Sequence, residues 1–200
     1  ARNFWDTMFS KEVSNTAEQG KTQDISENKD GYSKEEVVEG ITYCYDDNGK
    51  LYRAGNELQS NNTYEINGYK YETDDQGRII SAEGTLRLKD REGRLSIKDS
   101  IENIGKGDQQ EGDDRGHLIG DQFDGSNGLE NMIPQDANIN RNDFKNFENE
   151  LAKEVKDGKE VKVKIEPVYD GNSRRPSAIV ETYSIDGEES VRVLPNGQEE

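Results

Sequence analysis

The chain has 200 residues, 29% hydrophobic and 34% charged, with a net charge of −17 and a mean hydropathy of −1.14. That length allows one domain with an extension, built on a small core with much polar surface or weakly ordered segment. No apolar run approaches the roughly 18 residues of a membrane-spanning helix. The lone Cys44 excludes an intrachain disulfide and a cysteine-based zinc site.

The sequence starts at Ala1 without a signal-peptide pattern, which reads as a fragment of something longer. Phe4, Trp5, Met8, Phe9 and Val13 recur at near-helical spacing and predict one short amphipathic helix. It either packs on the domain or joins it to an upstream delivery module. Residues 14–36 are polar and acidic and read as linker or loose surface. The expected organisation is thus an extension over 1–37 and a folded domain over 38–200. From Val38 the pattern is β. Ile41 to Tyr45, with Cys44 as a small buried side chain, and Lys50 to Arg53 flank the turn Asp46-Asp47-Asn48-Gly49. Tyr64 to Ile66 and Tyr69 to Tyr71 flank Asn67-Gly68, a strong hairpin signal. Arg78 to Ala82 and Thr85 to Leu88 continue as strands. Nine Asn-Gly or Asp-Gly pairs punctuate the chain, as turns do in a sheet-rich protein; none completes a calcium-binding loop. Phe144, Phe147, Leu151 and Val155 share one face of a helix predicted over 143–156, stopped by Asp157-Gly158. Alternation at Val161, Val163 and Ile165, then Ala178 to Ile185 and Val191 to Leu194, supplies three more strands. Many strands and one long helix predict an α+β domain with a mainly antiparallel sheet.

The chemistry-bearing residues cluster between the hairpins and that helix. The one histidine, His117, closes the run Asp114-Arg115-Gly116-His117; Asn131-Met132-Ile133-Pro134-Gln135, Asn140 and Glu148 follow in order. Histidine alone among side chains has an unperturbed pKa near neutrality. With a cation, neutral oxygen donors and a carboxylate it forms a kit suited to cutting phosphodiesters.

Together these elements resemble the DNA/RNA non-specific endonucleases of the ββα-metal superfamily. The signature there is a D-R-G-H box, then N-x-x-P-Q, then a helix carrying an Asn and a Glu. The fuller runs DDRGHLIGDQF (113–123), LENMIPQDANINRNDFKNFENE (129–150) and KVKIEP (162–167) look closer still to the nuclease domains that end bacterial polymorphic toxins. The resemblance covers roughly residues 63–195 and implies a ββα-metal core within the α+β domain. It casts His117 as the general base on water. Asp114 and Gly116 would shape the turn that presents it, and Asp114 would orient the site. Asn140 becomes the direct ligand of Mg²⁺ or Mn²⁺, a hard cation that keeps most of its waters. Glu148, a little over two helical turns on, would hold the metal's water shell. Arg115 is expected to offset charge on the transition state. Asn131 and Gln135 would support the site and its turn. Arg141, Lys145, Arg174 and Arg175 are candidates for gripping phosphate on charge alone. Related enzymes often carry a further arginine one turn beyond the glutamate; here that position is Ala152, so the second cation must come from elsewhere, such as Arg78.

The implied activity is a metal-dependent, sequence-nonspecific endonuclease on DNA, with RNA as the alternative, delivered as part of a larger toxin into a target-cell cytoplasm. A cognate immunity protein is implied, because an unrestrained nuclease would destroy the genome of the producing cell. The net charge opposes the basic footprint of nucleic-acid binders: residues 101–150 hold 12 acids against 4 bases. The nuclease reading therefore needs a locally basic cleft or a bound cation. The competing reading is a binding protein, an acidic nucleic-acid mimic or nuclease inhibitor. It accounts for the charge but not for the ordered motifs. A nuclease fold that has lost activity is a third reading, opposed by the intact His117, Asn140 and Glu148.

Overall fold

Alternating burial builds the largest sheet in the computed structural model, which describes residues 26–27 and 34–197. The helix expected over Phe4 to Val13 lies outside the described residues. Strand β11 (Val161–Val168) buries Val161, Val163 and Ile165 and turns Lys162 to solvent, as a half-buried strand must. It lies inside a six-stranded antiparallel sheet, ordered β13 (Glu188–Pro195), β12 (Ala178–Ile185), β11, β8 (Ile79–Thr85), β7 (Tyr69–Thr73) and β6 (Thr63–Ile66). A five-stranded sheet runs in chain order through β1 (Ser26–Glu27), β2 (Lys34–Val38), β3 (Ile41–Tyr45), β4 (Leu51–Ala54) and β5 (Glu57–Leu58). Its β2–β3 hairpin straddles the boundary expected between 37 and 38. The fold class is α+β, with antiparallel sheets.

The third sheet holds the motif. Strands β9 (Asp114–His117) and β10 (Met132–Gln135) pair antiparallel, His117 opposite Met132 and Asp114 opposite Gln135. The D-R-G-H run is therefore a strand and not the turn expected around Asp114 and Gly116. Its four residues pair with Met132 to Gln135 of the second motif. A six-residue π-helix, Ile139–Phe144, runs straight into α2 (Lys145–Lys156); the short helix α1 is Ile101–Gly105. Hairpin, connection and α2 form the ββα unit.

Helix α2 buries Phe147 and Leu151 against the six-stranded sheet, with Phe144 from the turn before it. The i, i+3, i+7 spacing puts all three on one stripe. Fully burying each such side chain stabilises the fold by about 1.5–3 kcal/mol. Tyr52, Tyr64 and Tyr71 stack at centroid distances of 5.1 and 6.1 Å and join the two large sheets in one core. Cys44 belongs to that core, free and buried, and burial pushes its thiol up to about 12. The strand expected over Thr85 to Leu88 does not continue: β8 ends at Thr85, and Leu86 turns into the core with its N–H on the Val161 carbonyl. Among the described residues, no helix is long and apolar enough to cross a membrane.

Candidate active site

The loop between β9 and β10 folds back on Asn131, which is fully buried. Its Oδ1 accepts from the Ile119 N–H at 2.9 Å, and its Nδ2 donates to the carbonyls of Ile119 and Ser126 at 2.8 and 2.7 Å. Burying an amide costs least when its polar atoms are satisfied, and the three bonds of Asn131 fix the loop that leaves His117. Gln135 is also fully buried and lies against Gly116, where an added Cβ would come within 2.1 Å of its Oε1. These two residues support the hairpin and do not face the cleft.

His117 does face it. The cleft, about 400 Å³, is lined by His117 from β9, Asn140 from the π-turn and Glu148 from α2. Burial lowers the imidazole from 6.5 to about 4, helped by Arg94 and Arg115 and opposed by Asp121. At neutral pH the ring is therefore uncharged and holds a free lone pair.

Asn140 is set by its neighbours. Capping of this helix falls to Asp136, whose Oδ1 accepts from the N–H groups of Asn138 and Ile139 at 3.0 and 3.1 Å. The Asn140 side chain is left for the site: Nδ2 donates to Asp114 Oδ2 at 2.9 Å. That bond assigns the amide and leaves Oδ1 as the acceptor. Arg141 grips the same carboxylate bidentately, Nε and Nη2 donating at 2.9 and 2.7 Å. Burial acts to raise the Asp114 carboxyl, but the bonds from Arg141 and Asn140 prevail and hold it low.

Glu148 enters from α2. Gly120 makes room for it, since a Cβ there would sit 1.8 Å from Glu148 Oε2. Burial raises this carboxyl from 4.5 to about 7, against Gln122 and Arg94, which lower it. An acid poised near neutrality, an amide oxygen and an imidazole thus share one solvent-connected space. Among the described residues no group of three or more His, Cys, Asp or Glu could cage a metal. The hard oxygens of Asn140 and Glu148 instead fit a divalent ion that keeps most of its water, as Mg²⁺ does.

The cations divide differently from the sequence expectation. Arg141 and Lys145 line the cleft. Arg115 does not; its Nη1 donates to the carbonyls of Ile97 and Asp99 at 3.0 and 3.1 Å and ties β9 to that segment. Arg175 is buried in a bidentate pair with Asp113 and also donates to the Asn196 carbonyl. Arg174 donates to the Gln76 carbonyl at 2.6 Å. Arg78 pairs with Asp74 and donates to the carbonyls of Gly171 and Ser173. None of these four lines the cleft. Two cations unforeseen in the sequence do, Lys89 and Arg94. Their segment is anchored by Asp121, which binds Lys89 and Arg91 at 2.6 Å each. Basic residues at 87, 89, 91 and 94, in an otherwise acidic chain, were the available signal. The cleft lining thus carries four cations (Lys89, Arg94, Arg141, Lys145) and two carboxylates (Asp121, Glu148). It is locally basic on a protein of net charge −17.

Known proteins resemble the chain in sequence and in fold. Residues 60–187 match the family described as DNA/RNA non-specific endonuclease. Over 187 residues the chain is 34% identical to the type VII secretion system protein EssD of Staphylococcus aureus, in strains USA300 and NCTC 8325 / PS 47 alike. The match takes in 86% of this chain but 30% of EssD, so the chain spans under a third of that relative. Two crystal structures of NucA from Streptococcus agalactiae share the fold at a TM-score of 0.50. The metal-free form is 18% identical over 82% of this chain and 83% of that one; the magnesium-bound form is 16% identical over 94% and 90%.

Proposed function

The chain belongs to the DNA/RNA non-specific endonuclease family, and on that premise we propose that it is a metal-dependent endonuclease hydrolysing phosphodiester bonds of DNA, with RNA as the alternative substrate. The observation that carries this reading is convergence. His117, Asn140 and Glu148, from three different elements, line one locally basic cleft.

His117 accepts a proton from the attacking water as its oxygen bonds to phosphorus. The phosphate's negative charge, arriving beside a buried ring, raises the ring's proton affinity at the moment it is needed. Arg94 faces the same space and offsets charge on the pentacovalent phosphorus. Asp114 holds Asn140 and Arg141 in place, and Gly120 leaves room for Glu148. A divalent cation held by Asn140 Oδ1, with Glu148 on its water shell, would polarise a phosphoryl oxygen and stabilise the leaving oxygen. Nothing in this set reads a base edge, which is consistent with cleavage of any sequence.

The likeness to part of EssD supports a wider setting. In it the nuclease is the toxin portion of a larger secreted protein, acts in a target-cell cytoplasm, and is restrained by an immunity protein. The acidic surface suits a partner with a basic contact face, since opposite charge speeds encounter. The rival reading, an acidic mimic or inhibitor, accounts for the charge but not for a basic cleft around a neutral histidine.

Plasmid nicking tests the reading. Magnesium should support cleavage and excess EDTA abolish it. His117→Ala should cut rate by about 10²–10⁴-fold with the fold intact by circular dichroism. Asn140→Ala should raise the magnesium requirement by about 10–100-fold, on the scale of a weakened metal site. Parent-rate cleavage by His117→Ala, or full activity in EDTA, refutes the mechanism. If cells tolerate the active chain as well as they tolerate His117→Ala, the toxin role fails.

A further inference from the structure

The cleft does not end at Glu148. A second hollow of about 650 Å³ continues along α2, and the two share Gln122 and Asn149 as walls. Its helix side is the stripe Asn146, Asn149, Lys153 and Lys156, with Ala152 at its floor and Leu88 on the facing segment. Those helix positions are spaced so that they fall on one face. Ala152 is half-buried against the core, and its short side chain leaves the floor open. Leu88 is 36% exposed, an apolar side chain beside amides and ammonium groups.

The charges here are arranged in favour of a polyanion. Glu150 also borders the hollow, but it is paired with Arg192 at 2.8 Å. Glu154, the next acid on the helix, is occupied by Lys159. Lys153 and Lys156 are exposed and enter no ion pair among the described residues. At 1.5 Å of rise per residue, Lys156 lies about 12 Å along the helix from Glu148, roughly three nucleotides of one strand at about 3.4 Å each.

We propose that this groove is a subsite for the nucleic-acid strand beyond the scissile phosphate: Lys153 and Lys156 hold its backbone phosphates while Leu88 supports a base. The proposal rests on the nuclease reading above and deepens it. The enzyme then grips a run of nucleotides on one side of the cut, and substrate length controls affinity. Uncharged recognition by amide and leucine side chains also accommodates any base, because every base has an apolar face.

The test compares two substrates in the full chain: a long single-stranded oligonucleotide, and a small chromogenic phosphodiester, the p-nitrophenyl ester of thymidine 5′-phosphate. The double variant Lys153→Gln, Lys156→Gln should raise KM for the oligonucleotide severalfold and hold kcat. The kinetics on the small diester should be unchanged. The dependence of log affinity on log salt should become shallower by about 1.4, two contacts at about 0.7 each for a single strand. An unchanged oligonucleotide KM and salt slope overturns the groove. So does an equal loss on both substrates, which would mean that the lysines only support the helix. A parent chain inactive on both substrates overturns the nuclease reading, and the groove with it.

Discussion

Two regions of this protein are rich in arginine and lysine, and they use them in opposite ways. Around His117, Arg94 and Lys145 line an open cleft, beside Lys89 and Arg141, which Asp121 and Asp114 hold. Behind the β9–β10 hairpin, Arg78, Arg174 and Arg175 are turned inward onto Asp74, the Gln76 carbonyl and Asp113. The second set is scaffold. Arg175 pins the residue just before β9, and Asn196 beside it donates to the carbonyls of Pro134 and Pro176, holding β10. Cationic residues therefore do not by themselves mark a phosphate site. A guanidinium already saturated by carboxylate and carbonyl oxygens offers a phosphate little.

Breaking the scaffold should give the largest effect on stability. Arg175→Ala leaves Asp113 buried without its partner, a loss of about 3–5 kcal/mol, or on the order of 10 °C in melting temperature for a chain of this size. Activity per folded molecule should be retained. An unchanged melting curve would remove the distinction between the two regions.

On the cleft side, Arg94→Ala should lower kcat by about 10²–10³-fold, the usual effect of removing a donor to a charged transition state. Arg174→Ala in the same assay should leave kcat at the parent value. Equal losses from both would show that exposure to the cleft is not what counts.

Gly120→Ala probes the Glu148 side of the cleft. The clash falls on the far end of a flexible side chain, so stability should hold while the Glu148 carboxylate is displaced. The magnesium requirement should rise by about tenfold, the lower end for a disturbed metal site. A titration at parent magnesium affinity would free Glu148 of that role.

The smallest effect belongs to Glu181, on β12 beneath α2, with no exposure and both carboxylate oxygens unpartnered. Burial raises it from 4.5 to about 8, against the field of Arg192. The folded protein thus binds a proton there that the unfolded chain has released. Its contribution to stability is full below about pH 4.5 and is lost as pH rises through about 8. Glu181→Gln should remove that alkaline loss and raise the melting temperature at pH 9 by on the order of 5 °C, with little change in acid. The same melting temperatures for both proteins across that range would reverse the assignment.

The order of residues along the chain carries the residue types that the chemistry cannot exchange. His117, Asn140 and Glu148 stand in a fixed order, and the α2 stripe of Phe144, Phe147 and Leu151 predicts the helix that carries the last of them. The hairpins at Asp46 to Gly49 and Asn67-Gly68 were equally legible, because a left-handed turn position strongly favours Asn and Gly. Local rules of this kind need only neighbours in the chain. What tertiary structure decided was pairing through space. The sequence offers Arg115 and Arg175 to phosphate and does not single out Arg94; the fold gives Arg94 to the cleft, Arg115 to backbone carbonyls and Arg175 to Asp113. Likewise Gly120 reads as a loop glycine until α2 brings Glu148 against it. Electrostatics and close packing act between residues far apart in sequence, so the distances that assign these roles exist only in the folded chain.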